Sequence, residues 1–313
     1  MARLALPQHG FGAAPIAGLY QEVSDEQARA TVDAAWSSGI RLFDTAPHYG
    51  VGLSERRLGA ALAGRSGYVL STKVGRLLVP SARSGRDDQG FDVPASLERV
   101  WDFSRDGVLR SLEESLTRLG LPHVDIVLIH DPDDHLDQAL TEAYPALAEL
   151  RSQGVVKAVG VGMNQWQAPL RFVQETDLDV VMLAGRYTLL DQSGLPLLDA
   201  CEARGVQVLA AGVFNSGLLA TPQPSGTYDY LPAPEAVLDR ARRMAKICEA
   251  HGVVLPQAAM AFPLRHPAVA SIVLGARSPE EVRANAELWG RPVPDALWAE
   301  LESEGLLPQP GNA

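Results

Sequence analysis

"RLFDTAPHYG" (41–50) is the stretch on which the reading of this chain turns. Leu42 and Phe43 lead into Asp44, and Tyr49 follows across a segment broken by Pro47 and Gly50. A buried strand that ends on a carboxylate, with a phenol close behind, asks for a reason other than packing. Three further apolar runs end in the same manner. "YVLSTKV" (68–74) carries Lys73 near its end, "VDIVLIH" (124–130) stops at His130, and "AVGVGM" (158–163) meets Asn164.

With "DVVMLAG" (179–185), "VQVLAAG" (206–212) and "SIVLGA" (271–276), these runs make up the main strand candidates. Most are continuous in Val, Ile and Leu rather than alternating, the pattern of a parallel sheet buried on both faces. One more strand is expected in "APIAGLY" (14–20). Helical patterns fill the gaps. The first, 24–39, has Ser24 as N-cap, Asp25 and Glu26 in its first turn and Gly39 as its stop. The second, 54–64, has Ser54 in the same capping role. The third, 104–120, carries Val108, Leu109, Leu112, Leu116 and Leu119 on one stripe and ends at Gly120. Others cover 137–154, 167–176, 194–205, 235–252 and 279–290.

Strand and helix therefore alternate about eight times with no break in composition. No G-x-G-x-x-G joins the first strand to the first helix, which argues against an open dinucleotide-binding sheet. The expected fold is a single α/β domain over residues 1–313, a (β/α)8 TIM barrel. Two connections, 76–103 and 213–234, are long and leave the C-terminal ends of strands. In such a barrel that face carries the site.

Composition excludes several classes of function. The net charge of −11 would repel nucleic-acid phosphates, so no nucleic-acid partner is expected. No basic amphipathic segment and no run of ~18 apolar residues points to a membrane. Cys201 and Cys248 lack any metal or redox spacing and read as free thiols, and no metal site is expected. The first residues, interrupted by Pro7, His9 and Gly10, do not read as a signal peptide. A reducing, cytoplasmic setting and a monomer are the expectations. Only three of the 27 basic residues are lysines, Lys73, Lys157 and Lys246. Lysine does chemistry that arginine cannot, so each is worth placing. Lys157 opens its strand and belongs on the opposite face, the one that carries stability.

Each polar strand end has a plainer reading when taken alone. Asp44 could cap a turn, Lys73 could be solvated, His130 could be structural and Tyr49 could cover apolar surface. A barrel ties them together, because it brings strand ends to one mouth. There an ammonium stabilises a phenolate, a carboxylate keeps the ammonium charged, and an imidazole orients a substrate oxygen. That set moves a proton at an oxygen on a reacting carbon, and hydride transfer at that carbon needs a nicotinamide.

At these residues the chain resembles the aldo-keto reductase superfamily. "GIRLFDTAPHYGVGLSERRLG" (39–59), "STKVG" (71–75), "DIVLIHDPD" (125–133), "KAVGVGMNQW" (157–166) and "VLGARSPEEVRAN" (273–285) carry the resemblance. It implies an NAD(P)-dependent barrel enzyme with Asp44, Tyr49, Lys73 and His130 as catalytic tetrad. It further implies cofactor contacts at Asn164, Phe214, Ser216, Leu218, Gly275, Arg277, Glu281 and Asn285. A glutamine and a stacking tyrosine common in the family are replaced by Ala184 and Ala211, with Phe214 a candidate to cover part of that surface. "VWDFSRDGVLRSLEESLTRLGL", "HDPDDH" and "GMNQW" resemble the branch of D-threo-aldose (L-fucose) 1-dehydrogenases, L-galactose dehydrogenases and pyridoxal 4-dehydrogenases.

The implied reaction is oxidation of the anomeric carbon of an aldose to a lactone. Pyridoxal oxidation, general carbonyl reduction and a cofactor-binding regulatory subunit without turnover are the alternatives. Gly275 and Glu281 stand where many NADP-dependent members carry cations, so NAD is the expected cofactor, with use of NADP left open by Arg277 and Arg283. The substrate, a sugar or pyridoxal, is expected against His48, Trp101, Phe103, Arg105 and Trp166. Trp101 or Phe103 has a second reading, as the apolar anchor of the helix that begins at 104.

Overall fold

Eight short parallel strands close on themselves in a computed structural model that describes residues 3–229 and 231–308. Residues 1–2 and 309–313 of the expected domain, and residue 230 of the expected loop 213–234, lie outside the described residues. The strands are β1 (His9–Gly12), β2 (Leu42–Asp44), β3 (Val69–Val74), β4 (Ile126–His130), β5 (Ala158–Met163), β6 (Val180–Ala184), β7 (Gln207–Ala211) and β8 (Val269–Gly275). Each pairs with its neighbour in sequence, and β8 pairs with β1. The barrel expected from the sequence is thus the observed fold.

Strand periodicity decides which side chains enter the lumen, since alternate residues face alternate sides. Leu42, Ile126, Leu128, Ala158, Val180, Met182, Leu209 and Val273 form one buried cluster that fills the barrel. A larger cluster lies between the strands and the surrounding helices. Asp44 lies two residues beyond Leu42, and His130 two beyond Leu128. Lys73 shares the parity of Val69, which packs against the same inner cluster. The polar strand ends therefore continue the inward rows that fill the lumen below them.

One expected strand is corrected. Residues 14–20 do not form it: Pro15–Ala17 is a turn of 3-10 helix closed by Gly18 at φ 87°, and Leu19 makes only an isolated bridge to Phe91. Pro15 has no N–H to give a ladder. The strand is instead β1, "HGFG", which has little β-forming character. Its glycines answer to space: a Cβ at Gly10 would sit 2.9 Å from the Leu42 side chain.

The helix cap at Ser24 is as expected, its hydroxyl accepting a backbone N–H at 3.1 Å, and Ser104 caps its own helix in the same way at 3.1 Å. Ser54 is not a cap. Its helix, Leu53–Leu62, starts one residue earlier behind Gly52, and Ser54 is buried. The Ser54 hydroxyl donates to the Ala13 carbonyl (2.9 Å) and accepts from Thr45 (2.8 Å), tying together the segments that leave β1 and β2. Two helices escape the sequence reading, Leu255–Ala261 and Asp295–Ser303. The first is buried all round, so it shows no amphipathic period. Loop 76–103 is partly regular, with Arg76–Pro80 and Leu97–Trp101 pairing as an antiparallel hairpin. Lys157 lies at the opposite end of the barrel from Lys73, and its ammonium pairs with the buried Asp125 at 2.7 Å.

Close approach of strands makes Gly160 the sharpest steric constraint in the barrel. A Cβ there would lie 1.7 Å from the Val180 carbonyl oxygen. Gly160→Ala is expected to cost about 3 kcal/mol or more in denaturant unfolding, at or beyond the upper end for overpacking. Gly205→Ala, at a helix end with φ 71° and open space around it, should cost about 1 kcal/mol. Equal losses for the two would refute the steric account.

Candidate active site

The ammonium of Lys73 is the hub of the mouth. Lys73 Nζ donates to Asp44 Oδ2 at 2.7 Å, to the Thr45 carbonyl at 3.0 Å and to Tyr49 Oη at 2.9 Å. Its side chain and that of Asp44 are only 2% and 4% exposed. All three ammonium protons are used, as burial of such a charge requires. The Lys73 stem passes Gly162 on β5, where a Cβ would make only ordinary contact with Lys73 Cε at 3.6 Å. Tyr49 sits on the turn after β2, with His130 edge-on at 5.9 Å between ring centroids. His48 stands 5.7 Å from His130 and 5.4 Å from Phe91. Asp44, Tyr49, Lys73, His130 and His48 all border one cavity of about 630 Å³.

Electrostatics assigns protonation states. Burial alone would lower the Lys73 pKa, but the Asp44 carboxylate and the Tyr49 oxygen outweigh it and hold the ammonium charged. Burial dominates at Tyr49, pushing its phenol up to about 12, with Lys73 pulling the other way and Asp44 adding to the rise. The stabilisation of a phenolate by Lys73 expected from the sequence is present but outweighed. The reason is first the burial of the phenol, which penalises the anion; the Asp44 carboxylate adds to the rise. Burial, followed by the charges of Arg76, Arg99 and Lys73, lowers His48 to about 2. Burial, then Arg76 and Lys73, likewise lowers His130 well below the usual histidine value. Both shifts favour the neutral imidazole.

A second buried ion pair braces the wall. Arg99, on the hairpin, pairs with Asp87 at 2.6 Å, both side chains being fully buried. The same guanidinium donates to the His48 carbonyl at 2.8 and 3.3 Å. It thereby fastens loop 76–103 to the turn that carries Tyr49. That loop also gives Gln89, Gly90 and Phe91 to the cavity, with Phe91 6.0 Å from the Tyr49 ring.

The remaining expected residues divide. Asn164 and Gly275 border the main cavity, as do Ala184 and Ala211. Ser216 lies in a small adjoining pocket of about 30 Å³ that shares Asn164, Ala184 and Gly212 with it. Leu218 is fully buried in the outer core, so its side chain is not a cofactor contact. Phe214 packs against that core and is not part of the cavity wall. Arg277, Glu281 and Asn285 lie beyond Gly275 at the helix Pro279–Leu288, clear of the cavity.

None of four expected substrate residues borders the cavity. Phe103 is fully buried and anchors the helix behind Ser104, its ring tilted against His135 at 5.5 Å between centroids. Its second reading is the one that holds. Arg105 is exposed and pairs with Glu149 at 2.6 Å. Trp166 is half-buried against the outer core, before the helix Gln167–Glu175. Trp101 is 42% exposed and stacks under the Arg76 guanidinium, 5.5 Å from its ring centroid. The right loop was identified but the wrong aromatic, Phe91 being the one that faces the cavity. Asp131, next to His130, was also missed although it borders the cavity. Its place directly after a polar strand end was the available signal.

With Tyr49 as the proton-transfer group, Tyr49→Phe should lower kcat about 10²- to 10⁴-fold. Because the phenol is shifted upward, wild-type oxidation should speed up as pH rises through the alkaline range. The Phe variant should lose that slope in a kcat–pH profile. Near-normal turnover in the variant, or a slope that survives it, would remove Tyr49 from this role.

Known proteins agree with this geometry. The model of the "Aldo/keto reductase family" matches residues 10–304. A D-threo-aldose 1-dehydrogenase of Pseudomonas sp is 48% identical over 99% of this chain and 97% of its own length. A pyridoxal 4-dehydrogenase of Microbacterium luteolum is 43% identical over 95% of this chain and 94% of its own. Among solved structures, the glycerol dehydrogenase of Gluconobacter oxydans superposes with a TM-score of 0.74 at 24% identity, covering 98% of this chain and 95% of that one, a likeness of fold. An Asp–Lys–Tyr hydrogen-bonded chain with a neutral histidine at one barrel mouth, in a sequence matched almost end to end, places this protein in the aldo/keto reductase family of oxidoreductases.

Proposed function

We propose that this enzyme oxidises the anomeric carbon of an aldose to a lactone, passing the hydride to NAD. The observation that carries the reading is the Asp44–Lys73–Tyr49 chain opening into a cavity large enough for a sugar beside a cofactor group. The D-threo-aldose 1-dehydrogenase relative supports the substrate class.

The family uses NAD(P)(H), and the residues present fit such a group. Asn215 Oδ1 is buried without a hydrogen-bond partner among the described residues, in the small pocket that also holds Asn164 and Ser216. Polar groups of that kind suit an amide and a phosphate chain. Asn164 would hold the carboxamide, Ser216 the phosphate chain, and Gly275, Arg277 and Asn285 the adenosine end. When bound, the cofactor supplies the hydride acceptor.

The protein's own part is proton transfer and orientation. Tyr49 Oη takes the proton of the hydroxyl on the reacting carbon. The step needs Tyr49 as the phenolate and leaves it as the neutral phenol. Lys73 steadies the phenolate that accepts the proton, and Asp44 holds Lys73 in place. His130, neutral, orients the substrate oxygen. In the reverse direction the neutral phenol is already the proton donor.

Charge supports NAD over NADP. Glu281 accepts the Arg277 backbone N–H at 2.8 Å and sits 3.5 Å from its guanidinium. Arg283 is paired with Glu280 at 3.3 Å. Both cations near the expected adenosine end are thus partly neutralised, and a 2′-phosphate would meet two carboxylates there.

A second reading, oxidation of pyridoxal, is supported by the pyridoxal 4-dehydrogenase relative and by the aromatic rings of Phe91, His48 and Tyr49 on the cavity wall. A panel of L-fucose, D-arabinose, L-galactose, D-xylose and pyridoxal with NAD+ and NADP+, followed at the nicotinamide absorbance, separates these readings. An aldose with NAD+ should give the highest kcat/KM. Pyridoxal as the best substrate would establish the second reading. Preference for NADP+ would overturn the charge argument. Cofactor binding with no turnover on any carbonyl or lactol would point to a regulatory subunit.

A further inference from the structure

Asp131 is a charged wall residue that the proton-transfer set leaves unused. It follows His130 directly and is held at φ 42°, a left-handed conformation uncommon outside glycine. That conformation turns the chain just past β4 and leaves Asp131 bordering the cavity beside His130 and Tyr49. Oδ2 accepts from Arg76 Nη2 at 2.6 Å and lies 3.4 Å from His130 Nε2. Among the described residues no hydrogen bond falls on Oδ1, and the side chain keeps 26% of its exposure. Arg76 is buried behind it and braced by the Trp101 ring. The guanidinium thus fixes one carboxylate oxygen and leaves the other available next to the reacting centre.

A carboxylate in this position accepts hydrogen bonds and donates none. It also repels anions. Its best ligand is a neutral hydroxyl one carbon away from the atom that Tyr49 serves. We infer that Asp131, positioned by Arg76, is a specificity-determining residue that reads the hydroxyl on the carbon adjacent to the reacting one. The inference rests on the proposed oxidation of a polyhydroxylated substrate and names the part of it that the enzyme recognises. Trp101, expected to touch substrate, acts one step removed by supporting Arg76.

The test compares substrates that differ by that one hydroxyl. D-Arabinose and 2-deoxy-D-ribose form such a pair in oxidation, and lactaldehyde and propanal form another in reduction with NADH. Wild type should favour the hydroxylated member of each. Asp131→Asn should shrink that preference by roughly ten- to a hundred-fold, the range for hydrogen bonds to charged groups. The loss should appear mainly in KM for the hydroxylated member, with the deoxy member little changed. Asparagine tolerates the left-handed backbone, so the fold should hold, which melting and cofactor-quenching measurements check. Arg76→Lys, which keeps the charge but loses the fork, should shift the preference in the same direction by less, and it carries the test if the Asn variant does not fold.

An equal fall in kcat for both members would mean that Asp131 only orients His130, and the inference would fall. An unchanged preference would overturn it as well. Should wild type oxidise no aldose, the aldose reading fails on its own. The lactaldehyde and propanal pair then still decides the role of Asp131, since loss of preference in the Asn variant supports it and retention refutes it.

Discussion

Lys73 and Asp44 are an almost fully buried ion pair at the floor of the cavity, and much of the barrel mouth is arranged around that fact. Taking two such charges out of water costs several kcal/mol per ion unless geometry and extra hydrogen bonds compensate. Here the compensation is complete on the ammonium side: a carboxylate, a main-chain carbonyl and a phenol each take one proton. The partner that completes the shell is Tyr49, the group proposed to move the proton. Removing Asp44 would leave an uncompensated buried charge, and removing Lys73 would leave Tyr49 without its neighbour.

Burial first, and this pairing second, make the phenol a weaker acid than simple proximity to an ammonium implies. A neutralised cation stabilises a phenolate less than a bare one, and the enclosed position of Tyr49 penalises the anion directly. The resting state is a neutral phenol beside two neutral imidazoles. Such a site is ready to donate a proton in reduction and needs to lose one before it can act in oxidation. Arg76 and Arg99 add to this state from behind the wall by keeping His48 and His130 uncharged. Arg99 has a mechanical part too, because its buried pair with Asp87 and its bonds to the His48 carbonyl lock the long loop against the catalytic turn.

Much of this was legible in the residues. The continuous apolar strands, their alternation with capped helices and the polar residues that end them lead to a barrel with a polar mouth. Inward parity then places Asp44, Lys73 and His130 together without any knowledge of contacts. What failed did so for identifiable reasons. β1 was missed because "HGFG" is selected for smallness against Leu42, which propensity does not report. Ser54 read as a cap because a serine before an apolar run usually is one, whereas here its hydroxyl bridges two strand exits. Phe103 and Arg105 were assigned to substrate because they flank a loop at the right end of the barrel. Which of a loop's side chains turns inward depends on the hairpin register, and that register pairs Arg76 with Trp101 and leaves Phe91 to face the cavity.

The sequence by itself determined the architecture, the family and the polar residues that meet at the barrel mouth, because these depend on periods of two and 3.6 residues and on motifs that lie within single segments. Only the tertiary structure decided the acidity of Tyr49, the real wall of the cavity and the presence of Asp131 in it. Those depend on which distant segments exclude water from a group and which charges they bring near it, and neither burial nor the closing of a long loop is encoded in local spacing.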